Sequence, residues 1–380
     1  MFAAIEKLEI PNDQFFLWHT WFNDVFNRPS GCNGFDIVIG NPPYGAKQSE
    51  ADKRMFRQTY VTTKTIRGIQ KGSIDSYTLF IEQAYNLLQK KGCLTMIVPI
   101  SFTSSDALSG VHRLLMHNCD TIRVSSYAVR PQPVFKNAVV NTSIIEIHKT
   151  GTPCKHLYST KMYRKGGELN LQALVDNLEF IDVKNYMLFG RIPKVSRKIE
   201  TNILEKIAKH SRLKDYVRQG GEPIVYRFAG GRYFKVVTNY SNGSSAERIL
   251  FFDKKYANAI GCILSSNLSF WFYQIYSDNL NWKNYEIENV PLPPFTDDTI
   301  AQLNSLYEEY LADIERNANS RKTTEGSSYN VSSFKEYKIG KSKPIIDRID
   351  DLICPLYGLT KEETEFIKNY EIQFRLSDEE

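Results

Sequence analysis

Residues 35–45 read FDIVIGNPPYG. The first six form a short apolar run closed by glycine, the pattern of a strand buried in a parallel sheet. Two consecutive prolines cannot continue a strand or a helix, so NPPY opens a rigid loop where the strand ends. Downstream, SYTLFIEQAYNLLQK (76–90) puts Leu79, Phe80, Ala84, Leu87 and Leu88 at helical spacing. Lys90, Lys91 and Gly92 read as its basic last turn and stop. CLTMIVP (93–99) reads as a second buried strand, 106–118 as a helix, 121–129 as a third strand and 138–149 as a β-branched fourth. This alternation is half of an α/β sheet. Ligands of such sheets bind beyond the C-terminal strand ends, which is where the NPPY loop falls.

The chain has 380 residues, 42% apolar and 24% charged, enough for about two or three domains. The expected division is 1–150, 151–300 and 301–380. Residues 201–210 read as a helix, 257–276 as one long buried helix and 301–317 as an amphipathic helix. Residues 320–333 read as a polar, mobile loop, and 343–358 as a further helix. After it, Thr360 with Glu363 makes a capping box. No run approaches the ~18 apolar residues of a membrane span. The N-terminus lacks a signal-peptide pattern, so a cytoplasmic location is expected. The six cysteines contain no CxxC and the histidines no HExxH, so no metal site is expected.

The net charge of +5 is unevenly placed. Residues 1–150 hold 16 Lys+Arg against 12 Asp+Glu, residues 151–295 hold 21 against 13, and residues 296–380 hold 11 against 18. The basic middle also contains YRFAGGRYFK (226–235) and FWFYQIY (270–276). Cations mixed with rings suit a nucleic-acid surface, and equally a solvated basic face over an aromatic core. Lys64, Arg67 and Lys71 follow the NPPY loop, where they could hold phosphates. Trp271 and Trp282 read as core.

Alone, NPPY is a rigid turn; its setting gives it a chemistry. To methylate an exocyclic amine, the nitrogen lone pair must be freed from ring conjugation. Two acceptors aimed at the amine hydrogens do this, here the Asn41 side-chain carbonyl and the Pro42 backbone carbonyl. The base must first leave the duplex stack, and Tyr44 offers a ring to hold it. No covalent nucleophile is needed, and no GxSxG elbow or nuclease-like Asp…Glu-x-Lys set is present.

FDIVIGNPPY resembles the catalytic motif of gamma-class adenine-N6 DNA methyltransferases, especially the methyltransferase–specificity fusions of type II restriction–modification and related phage-defence systems. Ser76, Tyr77, Phe80, Ile81 and Glu82, then Leu87, Leu88, Gly92, Ile97, Val98 and Pro99, resemble the helix and strand that follow it. VFKNAVVNTSIIEI (134–147) is similar to a later motif, which makes Phe135 the second ring on the flipped adenine. SKPIIDRIDDLICPLYGLTKEETEFIKNYEIQFR (342–375) resembles the tail of these fusions.

The resemblance implies a Rossmann-like α/β half-sheet, then a mixed α+β target recognition domain and a helical tail. It implies catalysis by Asn41, Pro42, Pro43 and Tyr44 and duplex DNA as substrate. Arg227, Arg232 and Lys235 would join the loop cations on DNA. The donor would be S-adenosylmethionine. Yet the 40 residues before Asn41 contain no GxG, and the later Gly-Gly pairs read as turns. The expectation is therefore a C-terminal half working with a separately encoded cofactor-binding half. The alternatives are an inactive DNA-binding or specificity fragment, and a relative acting on RNA or a protein glutamine.

Overall fold

The computed structural model describes residues 16–133, 140–165, 171–230, 234–322 and 333–376. They form a mixed α/β fold of two compact units. One comprises Met1–Pro99, Asp106–Ser125 and Thr142–Tyr158; the other comprises Ile100–Ser105, Ser126–Asn141 and Ser159–Glu380.

The first unit holds strands β1 (Phe35–Gly40), β2 (Leu88–Pro99) and β4 (Thr142–Lys149), most of β3 (Cys119–Tyr127) and the start of β5 (His156–Tyr163). With β6 (Ile181–Asp182) they form a sheet of order β1-β2-β4-β3-β5-β6, so β1 is an edge. β1 runs parallel to β2, and β2 antiparallel to β4. Leu94, Met96 and Val98 alternate inward on β2, joined by Ile145 and Ile147 on β4 and Ile122 and Val124 on β3. Helices α1 (Glu50–Thr59), α2 (Ser76–Leu87) and α3 (Ser109–Asn118) lie between these strands in sequence. α2 and α3 bury Leu79, Ile81, Val111 and Leu115. Each such burial is worth about 1.5–3 kcal/mol. On the other side, Ile37 and Ile39 of β1 are 69% and 79% exposed.

The strand at 35–40 falls where the sequence places it. The second strand starts earlier, at Leu88, and Lys91 takes a left-handed φ of 75° within it. Lys90 and Gly92 therefore belong to the strand, not to a helix stop.

In the second unit the expected 257–276 helix is two: α4 (Ala257–Leu264) and α5 (Asn267–Tyr276). Ser266 ends the run because its hydroxyl accepts from Ser269 N and starts a new helix. Trp271 and Trp282 are fully buried. Residues 301–380 do not stand apart from 151–300. α6 (Asp297–Arg316) packs so closely on α4 that a Cβ on Gly261 would lie 2.6 Å from Tyr307 Cζ. Asp350, on α7 (Lys343–Ile353), accepts from Asn267 N, Asn267 Nδ2 and Leu268 N at the start of α5. The buried Arg375 guanidinium donates to Asn267 Oδ1 and lies 4.2 and 4.4 Å from the Phe234 and Phe270 rings.

A four-stranded antiparallel sheet of β7 (Val217–Arg218), β8 (Glu222–Arg227), β9 (Val237–Thr238) and β10 (Glu247–Phe252) completes the unit, in the order β9-β8-β10-β7. Of the 320–333 segment expected to be mobile, Ser320, Arg321, Lys322 and Ser333 belong to two paired strands, Ala318–Lys322 with Ser333–Tyr337, and 323–332 lie outside the described residues. Among the described residues no helix is long and apolar enough to cross a membrane.

Candidate active site on the NPPY loop

β1 delivers the NPPY loop at its C-terminal end, and the start of α2 holds the loop there. Ser76 Oγ donates to the Pro43 carbonyl at 2.6 Å and accepts from Ala46 N at 3.3 Å. Asp75 accepts from Gly45 N at 3.2 Å, and Gln48 Nε2 donates to the Ile74 carbonyl at 2.7 Å. Asp75 precedes α2 as its N-cap residue, but its side chain serves the loop rather than the helix.

Asn41, Pro43 and Tyr44 are exposed, and Pro42 is buried. The Tyr44 hydroxyl lies 3.2 Å from Asn41 Oδ1 and 3.1 Å from the Ile97 carbonyl, shared between two acceptors. Its ring meets Tyr77 edge-on at 6.3 Å. Burial pushes the Tyr44 hydroxyl above its ordinary range, so it stays protonated at neutral pH. The loop thus presents a side-chain amide oxygen that already takes a hydrogen bond, beside an aromatic face. That arrangement can accept from an exocyclic amine, since the amide oxygen has a second lone pair.

Beside the loop lies a groove of about 280 Å³, walled by Pro43, Phe56, Tyr60, Leu79 and Phe80. Gln48 also lines it, and Gln48 Oε1 is buried with no hydrogen-bond partner. Flat apolar walls with one orphaned acceptor fit a planar heterocycle bearing an amine. The sequence reading missed this groove, because nothing in the spacing of Gln48 and Phe80 brings them together before the fold does.

The cations divide. Lys64 and Arg67 are exposed on a compact loop tied by Gln70 Nε2 to the Val61 and Lys64 carbonyls. Lys71 is exposed but paired with Asp106. Behind this loop, buried Glu82 accepts from Val61 N, Thr62 N and Thr62 Oγ1. Arg227 is exposed, with Nε donating to the Ala229 carbonyl. Lys235 is a correction: it is buried, donates to the Gly230 carbonyl and lies 4.2 Å from the Tyr273 ring centre. Burial pushes its pKa down to about 7, so it is no surface cation. Phe135 and Arg232 lie outside the described residues.

One trio among the described residues could offer metal ligands, contrary to expectation: Cys93, Glu146 and His148, with ligand atoms within 4.8 Å of one another. Cys93 and His148 are cross-strand partners. Glu146 Oε1 already accepts from Arg123 at 2.7 Å and lies 2.9 Å from His148 Nε2. A guanidinium therefore sits where a cation would have to bind.

An α/β sheet with such a loop at a strand end defines a class, and comparison with known proteins agrees with it. Residues 3–135 match the model of the Eco57I restriction-modification methylase family. The type II restriction enzyme and methyltransferase RM.Eco57I of Escherichia coli is 27% identical over 140 residues, 34% of this chain and 13% of that protein. The type II methyltransferase M.TthHB8I of Thermus thermophilus is 32% identical over 77 residues, 20% of this chain and 18% of that protein. The chain thus spans under a fifth of these relatives. The type IIL restriction-modification enzyme MmeI, solved in complex with DNA, shares the fold over 97% of this chain and 59% of its own, at a TM-score of 0.53 and 10% identity. The N-terminal third is similar to restriction–modification methylases, and nearly the whole chain shares a restriction–modification enzyme's fold.

Proposed function

We propose that the chain is the catalytic and DNA-reading part of an adenine-N6 DNA methyltransferase of a restriction–modification or phage-defence system, working in the cytoplasm. The observation that carries this is Asn41 Oδ1, presented beside Tyr44 on a loop stapled by Ser76 and Asp75. A flipped adenine reaches the second lone pair of Asn41 Oδ1 or displaces the Tyr44 hydroxyl. Its amine then donates one hydrogen to Asn41 Oδ1 and the other to the Pro42 carbonyl. The nitrogen lone pair leaves the ring system and becomes nucleophilic. The Tyr44 ring holds the base, and Phe135 is the proposed second ring. The nitrogen lone pair would form one bond to the methyl carbon as the bond from that carbon to the donor's sulfonium sulfur breaks, its electron pair leaving with the neutral thioether, and one amine proton passes to solvent.

S-adenosylmethionine, when bound, supplies that methyl group on a sulfonium. The groove walled by Pro43, Phe56 and Phe80 would hold its adenine, with the amine on Gln48 Oε1. The rest of the donor falls to a cofactor-binding half. The open edge and face of β1, with Ile37 and Ile39 exposed, support its docking there, since parallel sheets are normally covered on both sides. Lys64, Arg67, Lys71, Arg227 and Arg232 would hold DNA phosphates.

The test is tritiated methyl transfer to genomic DNA by the chain combined with a cofactor-binding half. Transfer that Asn41→Ala reduces by about 10²-fold or more supports the reading. Salt-dependent DNA binding without transfer would make the chain an inactive specificity fragment instead.

A further inference from the structure

Between β6 and the helix Lys198–Ile207 the chain makes a tight hairpin turn at Leu188, Phe189, Gly190 and Arg191. Leu188 N donates to the Arg191 carbonyl and Arg191 N to the Leu188 carbonyl, both at 3.0 Å. The two central residues have positive φ, 49° at Phe189 and 77° at Gly190, the signature of a type I′ turn. Gly190 adopts this readily; a bulky aromatic does not. Asparagine is the residue such a turn prefers at the first position.

The Phe189 ring does not recover that cost by burial, because it is 60% exposed. The strained residue is nevertheless held firmly. Arg191 is buried, its guanidinium lies 3.1 Å from the Tyr285 ring centre, and its Nη1 donates to the Phe189 carbonyl at 3.2 Å. Tyr285 is itself fixed by hydrogen bonds to the Ser104 carbonyl and Glu286. Ile192 N also donates to the Thr103 carbonyl, anchoring the base of the turn. The Lys214 ammonium lies 5.7 Å from the Phe189 ring centre, and Lys214 is exposed. Strain held in place by surrounding structure, with an apolar ring outward beside the Lys214 ammonium, is the arrangement of a side chain meant to touch something else.

We infer that Phe189 is a wedge that stacks between bases of duplex DNA, with Lys214 on a flanking phosphate. This rests on the DNA reading above and adds to it a second point of base contact. A ring on a rigid turn enters a base step with little ordering cost, and a flanking cation neutralises a phosphate it spreads. A stack already interrupted costs least to enter, so a duplex with one abasic site is the favoured target.

The test compares the full chain with Phe189→Asn and Phe189→Trp. Each is titrated by fluorescence anisotropy into a duplex of about 30 base pairs, intact or with one abasic site, and its thermal midpoint is measured. Asparagine suits the turn, so its midpoint should equal or exceed that of the unsubstituted chain. Its affinity for the abasic duplex should fall about tenfold, while tryptophan stays within about threefold. A Phe189→Asn chain that binds both duplexes like the unsubstituted one overturns the wedge and leaves the DNA reading intact. An unsubstituted chain with no salt-dependent affinity for either duplex overturns both.

Discussion

Tyr44 and Asn41 are already partners before any base arrives. The tyrosine hydroxyl shares its hydrogen between Asn41 Oδ1 and the Ile97 carbonyl, so an incoming amine takes the second lone pair of that oxygen or displaces the hydroxyl. Tyr44→Phe keeps the ring and frees the amide oxygen. Its effect on kcat/KM should be within about fivefold, near the net worth of one hydrogen bond. Tyr44→Ala should lose considerably more, because the stacking face goes; equal losses in steady-state kinetics would refute the ring's role.

Lys194 offers a separate test in the second unit. It is fully buried, donates to the Ile275 and Ser277 carbonyls, and burial pushes its pKa down to about 7. Between about 7 and the ordinary lysine value the unfolded chain holds a proton that the folded chain has released. Stability therefore rises with pH across that window, and the loss on acidification is complete once pH has fallen to about 7. Lys194→Met should flatten urea midpoints measured from pH 7.5 to 9.5, removing about 1.4 kcal/mol of slope per pH unit. An unchanged slope would show that this ammonium stays charged.

Among elements, the basic loop between α1 and α2 depends on what lies beneath it. Glu82 satisfies three donors of residues 61 and 62. Gly72 lies so close to the turn that an added Cβ would sit 1.9 Å from the Thr63 carbonyl oxygen, and one on Gly110 would sit 2.5 Å from that of Thr62. Glu82→Ala should cost about 3 kcal/mol in denaturant unfolding by leaving buried donors unpaired, and a cost under about 1 kcal/mol would contradict that. Gly72→Ala should open the loop and raise its amide exchange, leaving exchange in the second unit unchanged.

Elements were legible in the sequence where local chemistry decides them. The strand at 35–40 is bounded by its own glycine and prolines. The helix at Lys361–Lys368 carries its capping box in plain view, Thr360 accepting from Glu363 N. The break at Ser265 and Ser266 was not legible, since two serines inside an apolar run also suit a continuous buried helix. Nor was the burial of Lys235, because a cation among aromatic residues reads alike on a surface and over a buried Tyr273. The NPPY loop could be located from its prolines, but its fastening by Asp75 and Ser76 needed the fold to bring α2 against it.

For the whole molecule, length and composition suggested two or three domains, and the chain forms two units because residues 301–380 lock onto α4 and α5. β1 is an edge, and its outward isoleucines share a face with Cys93 and Thr95 through the β1–β2 register. Exposed apolar edges of this kind aggregate or recruit a partner. Replacing Ile37 and Ile39 together by lysine should leave the chain folded, improve its solubility and abolish capture of a cofactor-binding half in a pull-down. Unimpaired capture would place the docking surface elsewhere.

The claim on which all of this turns is that Asn41 directs a methyl group to the N6 of adenine in DNA. Mass spectrometry of nucleosides from DNA exposed to the chain, its cofactor-binding half and isotopically labelled S-adenosylmethionine measures it directly. Labelled N6-methyladenine that disappears with Asn41→Ala is the expected result. Label in another base, or N6-methyladenine undiminished by Asn41→Ala, would contradict it.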